Sequence, residues 1–289
     1  MNFATPDDLR RLLEKTYLAD DRVALVCYLA LQLHKPILVE GPPGVGKTDL
    51  ARALAEALSK PYLRLQCYEG LDEARALYEW NHAKQLLAVT LRKEQEGATP
   101  ESLSELYTRD YLLARPLLRA LDSEEGAVLL IDEVDRADPE FEAFLLEFLS
   151  ESQVTIPELG TIKSKAPPLT LLTTNGTRDM TDALRRRCLH LFLDYPTPAL
   201  EQKILELRVP GVSHLLTDQV SRFLLRLRKE DLQKAPSVSE SIDFARALML
   251  LMKSALSPDL VRDLLPTLLK HEEDRARIAP KVDRLLSDT

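Results

Sequence analysis

Gly41-Pro42-Pro43-Gly44-Val45-Gly46-Lys47-Thr48 follows the apolar run Pro36-Ile-Leu-Val-Glu40 and precedes a helical pattern from Asp49 to Leu58. The order is strand, loop, helix. A glycine, four residues and then Gly-Lys-Thr is the P-loop pattern, in which small residues let backbone N–H groups close around phosphate oxygens at a helix N-terminus. Lys47 is the candidate for the β and γ phosphates and Thr48 for a Mg²⁺ ion, with Gly41 through Asp49 as the candidate nucleotide-binding segment. ATP and Mg²⁺ are the cofactors this predicts. A Gly/Pro turn without a ligand is the competing reading, and the flanking strand and helix speak against it.

Two further strands end in chemistry. Ala127-Val-Leu-Leu-Ile131 is a continuous apolar run that delivers Asp132-Glu133 at its carboxyl end, as a strand in the middle of a parallel sheet can. That is the Walker B arrangement. Asp132 is a candidate metal-binding residue, and Glu133 the candidate catalytic residue that polarises the attacking water. Leu169-Thr-Leu-Leu-Thr-Thr-Asn175 is a second buried run. Its Asn175 can orient a water at the same sheet edge; the plainer alternative is a turn-forming Asn before Gly176.

The remaining strands are Pro61–Gln66 and Leu189–Leu193, which makes an α/β fold with a five-stranded parallel sheet. Helical patterns cover Asp7–Leu18 and Asp21–Leu33 ahead of the first strand. Asp138 caps a helix with Pro139 at its first position, and Phe141, Phe144, Leu145, Phe148 and Leu149 form its core stripe. Between Asp182 and Cys188 a short helix ends in Arg185-Arg186-Arg187. These arginines are either a solvated helix end that matches the macrodipole or a finger for the γ-phosphate of a neighbouring subunit.

Two stretches exceed what such a core needs. Cys67 to about Tyr111 is too long for a simple connection; it holds Trp80, the only tryptophan, a helical pattern through Leu91 and a polar piece from Glu94 to Glu105. Gln153–Pro157 and Thr161–Lys163 flank Glu158-Leu159-Gly160 and read as an edge β-hairpin. Leu159 at its tip is expected to be exposed and to meet a client or partner. After Tyr195-Pro-Thr-Pro198 the pattern is helical throughout, with candidates at Ala199–Leu207, Asp218–Lys229, Ser239–Lys253 and Pro258–Lys270, the last capped by Ser257. The expected domains are 1–197, with an insert at about 67–111 and a hairpin at 153–165, and an all-helical 198–289. The charged run Arg226 to Lys234 reads as a solvated face.

Composition narrows the function. The 289 residues carry a formal charge of −8, so no general attraction to nucleic acid or anionic membrane exists. Cys27, Cys67 and Cys188 are widely spaced and suit reduced thiols in a cytoplasm. The five histidines are scattered, without zinc-ligand spacing. Val23–Leu33 is too short to span a bilayer. A soluble cytoplasmic protein without a membrane partner is expected.

The P-loop, Asp132-Glu133, Asn175, Arg185-Arg-Arg-Cys188 and the helical tail come in the order seen in AAA+ ATPases, and the resemblance spans almost the whole chain. Arg187-Cys188 looks like the Ser-Arg-Cys motif of clamp loaders, which makes Arg187 the candidate trans-acting catalytic arginine. The chain is most similar to the MoxR family and its CoxD-type branch, on Val39-Glu-Gly-Pro-Pro-Gly-Val-Gly-Lys-Thr48, Leu65-Gln-Cys-Tyr-Glu-Gly-Leu-Asp-Glu73, Leu77-Tyr-Glu-Trp80, Val154-Thr-Ile-Pro-Glu-Leu-Gly-Thr-Ile162 and Leu184-Arg-Arg-Arg-Cys188. That resemblance implies a P-loop NTPase core with a helical lid and a helix-two insert within Cys67–Tyr111. It also implies a hexameric ring, and work with a von Willebrand factor A domain partner on a protein client. One departure stands out: where such lids carry a sensor-two arginine this chain has Ser237-Val-Ser-Glu240, and Arg246 lies about two turns further in.

Four functions compete. An oligomeric remodelling ATPase fits Glu133, Asn175 and the arginines. A nucleic-acid motor or loader is disfavoured by the acidic balance and by the absence of interleaved aromatic and basic residues. A non-hydrolysing scaffold needs no catalytic glutamate, and a small-molecule kinase would carry an arginine-rich lid.

Overall fold

Runs of buried apolar residues become strands when both faces of a sheet are covered, and that happens here. In the computed structural model, which describes residues 3–93 and 106–287, the strands are β1 (Ile37–Glu40), β2 (Tyr62–Gln66), β3 (Tyr78–Trp80), β4 (Leu112–Ala114), β5 (Val128–Asp132), β6 (Gln153–Ile156), β7 (Gly160–Lys163), β8 (Leu169–Thr174) and β9 (Leu189–Phe192). Five of them form the central sheet in the order β2-β5-β8-β1-β9. Pairing is parallel between β2 and β5, β5 and β8, and β1 and β8. β5 and β8 are buried along their whole length. The register sets Gln66 opposite Asp132 and Glu40 opposite Thr174. The carboxyl ends of these strands therefore finish on one edge, where open α/β sheets collect ligands. This is the α/β fold with a parallel five-stranded sheet that the sequence predicts.

Compactness divides the chain into two units. One contains the N-terminal segment up to Leu12, Asp21–Glu40 and Thr48–Leu191; the other contains Leu13–Asp20, Gly41–Lys47 and the described residues from Phe192 onward. The P-loop and a short N-terminal stretch thus group with the helical tail, a grouping that the continuous segments 1–197 and 198–289 do not contain.

The first unit is built from the sheet and the helices α1 (Pro6–Leu13), α2 (Asp21–Leu33), α3 (Lys47–Leu58), α4 (Glu73–Leu77), α5 (His82–Lys93), α6 (Pro116–Asp122), α7 (Pro139–Glu151) and α8 (Asp182–Arg187). Phe141, Leu145 and Phe148 of α7 enter one core cluster with Leu129 and Ile131 of β5. That is the packing role their spacing predicts. The segment after Cys67 is more regular than its composition implies. Asp72 caps α4 by accepting from Arg75 N–H at 2.7 Å. Beyond it β3 and β4 pair antiparallel, with Tyr78 opposite Ala114 and Trp80 opposite Leu112. The ordered pair runs three residues past the Tyr111 boundary that the sequence suggests, because a three-residue strand has no readable alternation. The Glu94–Glu105 piece lies outside the described residues. The α6 helix is not foreseen from the sequence either, although Pro116 stands at its first position and Leu117, Leu118, Ala120 and Leu121 are buried.

The structure corrects two local expectations in this unit. β6 and β7 form a separate hairpin as expected, but Leu159 is half-buried and packs against the main core cluster. Its N–H closes the turn on Ile156 O at 3.0 Å. An apolar side chain beside a core folds back onto it rather than facing water. Asp138 precedes α7 without capping it through its side chain; its Oδ2 accepts instead from Gly70 N–H at 3.3 Å.

The second unit is helical: α9 (Pro198–Arg208), α10 (His214–Leu227), α11 (Val238–Leu250), α12 (Pro258–Leu268), α13 (Glu272–Ile278) and α14 (Val282–Leu286). The last two lie beyond Lys270, where the helical pattern in the sequence ends. Phe223 and Phe244 meet in its core at a ring separation of 6.2 Å, among Leu224, Val261, Leu265 and Ile278. Ser257 precedes α12 but makes no side-chain cap bond. The Arg226–Lys234 run is a solvated face only in part: Lys229, Asp231, Gln233 and Lys234 are exposed, but three other charged residues are engaged. Arg228 is only 8% exposed and pairs with the buried Glu201, Arg226 donates to Leu285 O at 2.8 Å, and Glu230 pairs with Lys281 and Arg284. α14 and the turn before it meet Arg226 and Glu230 of this run, which sequence periodicity alone could not show. Among the described residues no helix is long and apolar enough to cross a membrane.

Candidate active site

The candidate residues fall in both units, and each set is held within its own. In the first unit Asp132, at the end of β5, is nearly buried, with its side chain 7% exposed. Its Oδ1 accepts from Thr173 Oγ1 on the neighbouring β8. Its Oδ2 accepts from Thr48 Oγ1 at 3.4 Å and from Arg64 Nη2 at 2.5 Å. The two oxygen-bearing residues predicted to hold a divalent ion are therefore neighbours. A threonine hydroxyl and a carboxylate are hard donors of the kind Mg²⁺ takes, so the donor set fits that ion.

Glu133 follows in the left-handed region, at φ 54° and ψ 51°. That conformation is strained for a side chain with a Cβ, and such strain gathers at functional sites. The surroundings hold it there. Its N–H donates to Thr173 Oγ1 at 2.9 Å. Its carboxylate accepts from Asn175 Nδ2 at 3.4 Å and from Gln66 Nε2 at 3.1 Å, with Arg136 Nε 3.4 Å away. The structure thus brings Glu133 and Asn175 together, as the sequence predicts. Asn175 is itself anchored, because its N–H and the N–H and hydroxyl of Thr177 all donate to Asp135 Oδ2. Burial works to raise the Asp135 carboxyl, but the Thr177 and Asn175 donations prevail and hold it below the usual range.

In the second unit the P-loop turns through backbone that side chains rarely adopt. Gly44 lies at φ 76°, and a Cβ there would stand 2.3 Å from Ser237 Oγ, at the start of α11. Gly41, at φ 150°, would place one 2.0 Å from Leu193 O. Only glycine fits either position. Lys47 is buried, 7% exposed, and donates through Nζ to Gly41 O and to Pro42 O at 3.0 Å. Val45 is buried, while Pro42, Gly46, Thr48 and Asp49 are half-buried and Pro43 and Gly44 exposed. The ring of Tyr17 stands against Gly46, 3.3 Å from where a Cβ would lie.

The arginines separate by their partners. Arg185 pairs with Glu40 at 3.2 Å. Arg187 is exposed and donates to Ser150 Oγ at 2.6 Å and Ala183 O at 3.1 Å, while Arg186 is exposed. Arg246 is exposed on α11, near Asp243 at 3.7 Å and Arg208 O at 3.5 Å. Cys188 sits beside them with its thiol pushed up to about 12, by burial against the opposing pull of Arg187 and Lys35. That excludes an activated nucleophile.

Sequence reasoning gave no role to Arg64, Gln66, Asp135, Thr173 or Tyr17, and noted Ser237 only as standing where a lid arginine is expected. One signal was available for the first two: in an alternating strand, residues two apart share a face, so Arg64 and Gln66 point the same way. Which strand they meet is set by pairing, not by pattern.

The sequence pattern of the AAA domain (dynein-related subfamily) matches residues 36–188. An uncharacterized protein of Staphylococcus saprophyticus is 28% identical over 253 residues, covering 84% of this chain and 87% of its own length. One from Staphylococcus haemolyticus is 27% identical over 256 residues, covering 86% and 89%. Among solved structures a point mutant of Thermotoga maritima RuvB superposes with a TM-score of 0.52 at 16% identity, over 99% of this chain and 79% of that one, which is a likeness of fold. More than half of the chain, from the start of β1 past Arg187, follows one family pattern, and the chain belongs to the AAA domain family, dynein-related subfamily.

Proposed function

We propose that the chain is a Mg²⁺-dependent ATPase whose turnover remodels or matures a protein client, in the manner of the MoxR family that its motifs resemble. The observation that carries this reading is two hydrogen-bonded pairs, Thr48 with Asp132 and Asn175 with Glu133, gathered at the carboxyl ends of β5 and β8. A binding protein needs a phosphate loop. It does not need a strained glutamate with an amide against its carboxylate.

In this reading the Lys47 side chain and the backbone N–H groups of Gly44–Lys47 bind the phosphates within the Gly41–Asp49 segment, and Asp49 lies in the first turn of the helix that follows. Thr48 and Asp132 would hold Mg²⁺, which would supply charge neutralisation for phosphoryl transfer. Glu133 accepts a proton from the attacking water, and Asn175 fixes that water's position. Arg187 serves the site of a neighbouring subunit, so the working state is a homo-oligomer, a hexameric ring by resemblance. A von Willebrand factor A domain protein is the partner that resemblance adds, and the compartment is the cytoplasm. The acidic charge continues to weigh against a nucleic-acid substrate.

The test separates binding from chemistry. Lys47→Ala should abolish binding of a fluorescent ATP analogue. Glu133→Gln should keep binding but lower phosphate release by roughly 10²–10⁴-fold. Equal loss of binding in both would sink the assignment. Proteins retained by the Glu133→Gln variant with ATP, and lost with Lys47→Ala, would identify the client.

A further inference from the structure

Asp132 has two carboxylate oxygens, and both are taken. Oδ1 is committed to Thr173 on the adjacent strand. Oδ2 is the oxygen that Thr48 approaches, at 3.4 Å, so a cation shared with Thr48 would use it. That oxygen already carries a cation. Arg64 reaches across from β2 and places Nη2 on Oδ2 at 2.5 Å, with Gln66 Oε1 accepting from the same nitrogen at 2.5 Å.

The two partners differ in what separation costs. The Asp132 side chain is 7% exposed and the Arg64 side chain 41%. A nearly buried carboxylate left without a counter-charge loses its hydration and gains nothing in return. A half-exposed guanidinium that swings out is rehydrated at once. Arginine keeps its charge at every relevant pH, so it cannot yield by losing a proton. It can yield only by moving.

We propose that Arg64 is the resident counter-cation of Asp132 and that Mg²⁺, arriving with the nucleotide, has to displace it. The inference rests on the reading of Thr48 and Asp132 as metal-binding residues and deepens it. Arg64 is a positioning residue: it keeps the buried carboxylate compensated and aimed while the metal is away. It also competes with the metal for Oδ2, so it raises the Mg²⁺ concentration at which the site fills. A carboxylate that always has a cation does not need the metal to remain folded in place.

The experiment is a Mg²⁺ titration of mant-ADP binding by the full chain, with binding in EDTA as the reference. Arg64→Met removes the competitor and keeps the apolar stem. Its Mg²⁺ midpoint should fall by roughly three- to ten-fold, the modest value fitting a half-exposed ion pair, while mant-ADP affinity in EDTA stays at the wild-type value. Arg64→Lys, which keeps a point charge, should stay closer to wild type than Arg64→Met. Nucleotide-free Mn²⁺ binding followed by electron paramagnetic resonance should tighten in the same order. An unmoved or raised midpoint in Arg64→Met, or an equal loss of affinity with and without Mg²⁺, overturns the inference and makes Arg64 structural. Should Arg64→Met fail to fold, the same measurement on Arg64→Gln decides. Mant-ADP affinity in the wild type that is indifferent to Mg²⁺ would overturn the metal-site reading itself. A Mg²⁺-dependent wild type with unmoved Arg64 variants overturns only the displacement.

Discussion

Arg228 offers the sharpest test of how the helical unit is held. Its guanidinium makes a bidentate pair with Glu201, Nη1 to Oε2 and Nη2 to Oε1, both at 2.7 Å. Nε donates to Pro236 O at 2.8 Å and Nη2 to Ser241 Oγ at 3.1 Å, while the guanidinium lies 4.9 Å from the centre of the Tyr195 ring. Side-chain exposure is 8% for Arg228 and 1% for Glu201. Arg228→Met keeps the stem but leaves Glu201 a buried carboxylate with Ser241 as its remaining donor. Removing one partner of a buried pair costs about 3–5 kcal/mol, most of it from the charge left behind. Arg228→Met with Glu201→Leu removes that charge, and only the lost bonds to Ser241 and Pro236 should remain, about 1–2 kcal/mol. Amide hydrogen exchange reads the difference directly. In the single variant the α10 and α11 amides should open roughly 10²–10⁴-fold more often, and most of that increase should vanish in the double. A single variant costing under about 1 kcal/mol, or a double variant as unstable as the single, would show that the buried charge is not what the pair compensates. The same contacts hold Pro236, next to Ser237 at the P-loop, so weaker nucleotide binding should accompany the opening.

Other consequences can be measured independently. ATPase activity per subunit should rise with protein concentration, because the proposed function has Arg187 act in trans, and Arg187→Ala should cost on the order of 10³-fold at saturating concentration. Concentration-independent turnover removes the finger assignment, and the same loss in Arg186→Ala instead shifts it by one residue. Glu240 caps α11 with its carboxylate on Ser237 N–H at 3.0 Å; burial acts to raise its pKa, but the Ser237 hydrogen bonds prevail and lower it. The folded pKa is therefore below the unfolded value of about 4.3, so the stabilisation is complete above that pH and is lost as pH falls through the folded pKa. Glu240→Gln should cost roughly 0.5–1 kcal/mol at pH 7 and progressively less below about pH 4 in urea unfolding. A gap that does not change with pH refutes the cap.

The chain's own order of residues determined the sheet, the P-loop and both candidate strand ends. Those features are local. An apolar run flanked by glycine and acid encodes a buried strand within a few residues, so Asp132, Glu133 and Asn175 are legible at such boundaries, and Thr48 is legible because it closes the P-loop pattern. Only the tertiary structure decided what those residues touch. Gln66 lies 67 positions from Glu133 and Arg64 lies 68 from Asp132, and no pattern within β2 states which strand it will pair with or in which register. Register follows from fitting the whole sheet and its covering helices at once. For the same reason Arg228 looked solvated until α10 found its neighbours, Leu159 looked exposed until the hairpin folded onto the core, and the three arginines looked equivalent until Glu40 and Ser150 each took one. Burial and ion pairing are properties of what comes to lie alongside a residue, and long-range packing alone supplies that neighbour.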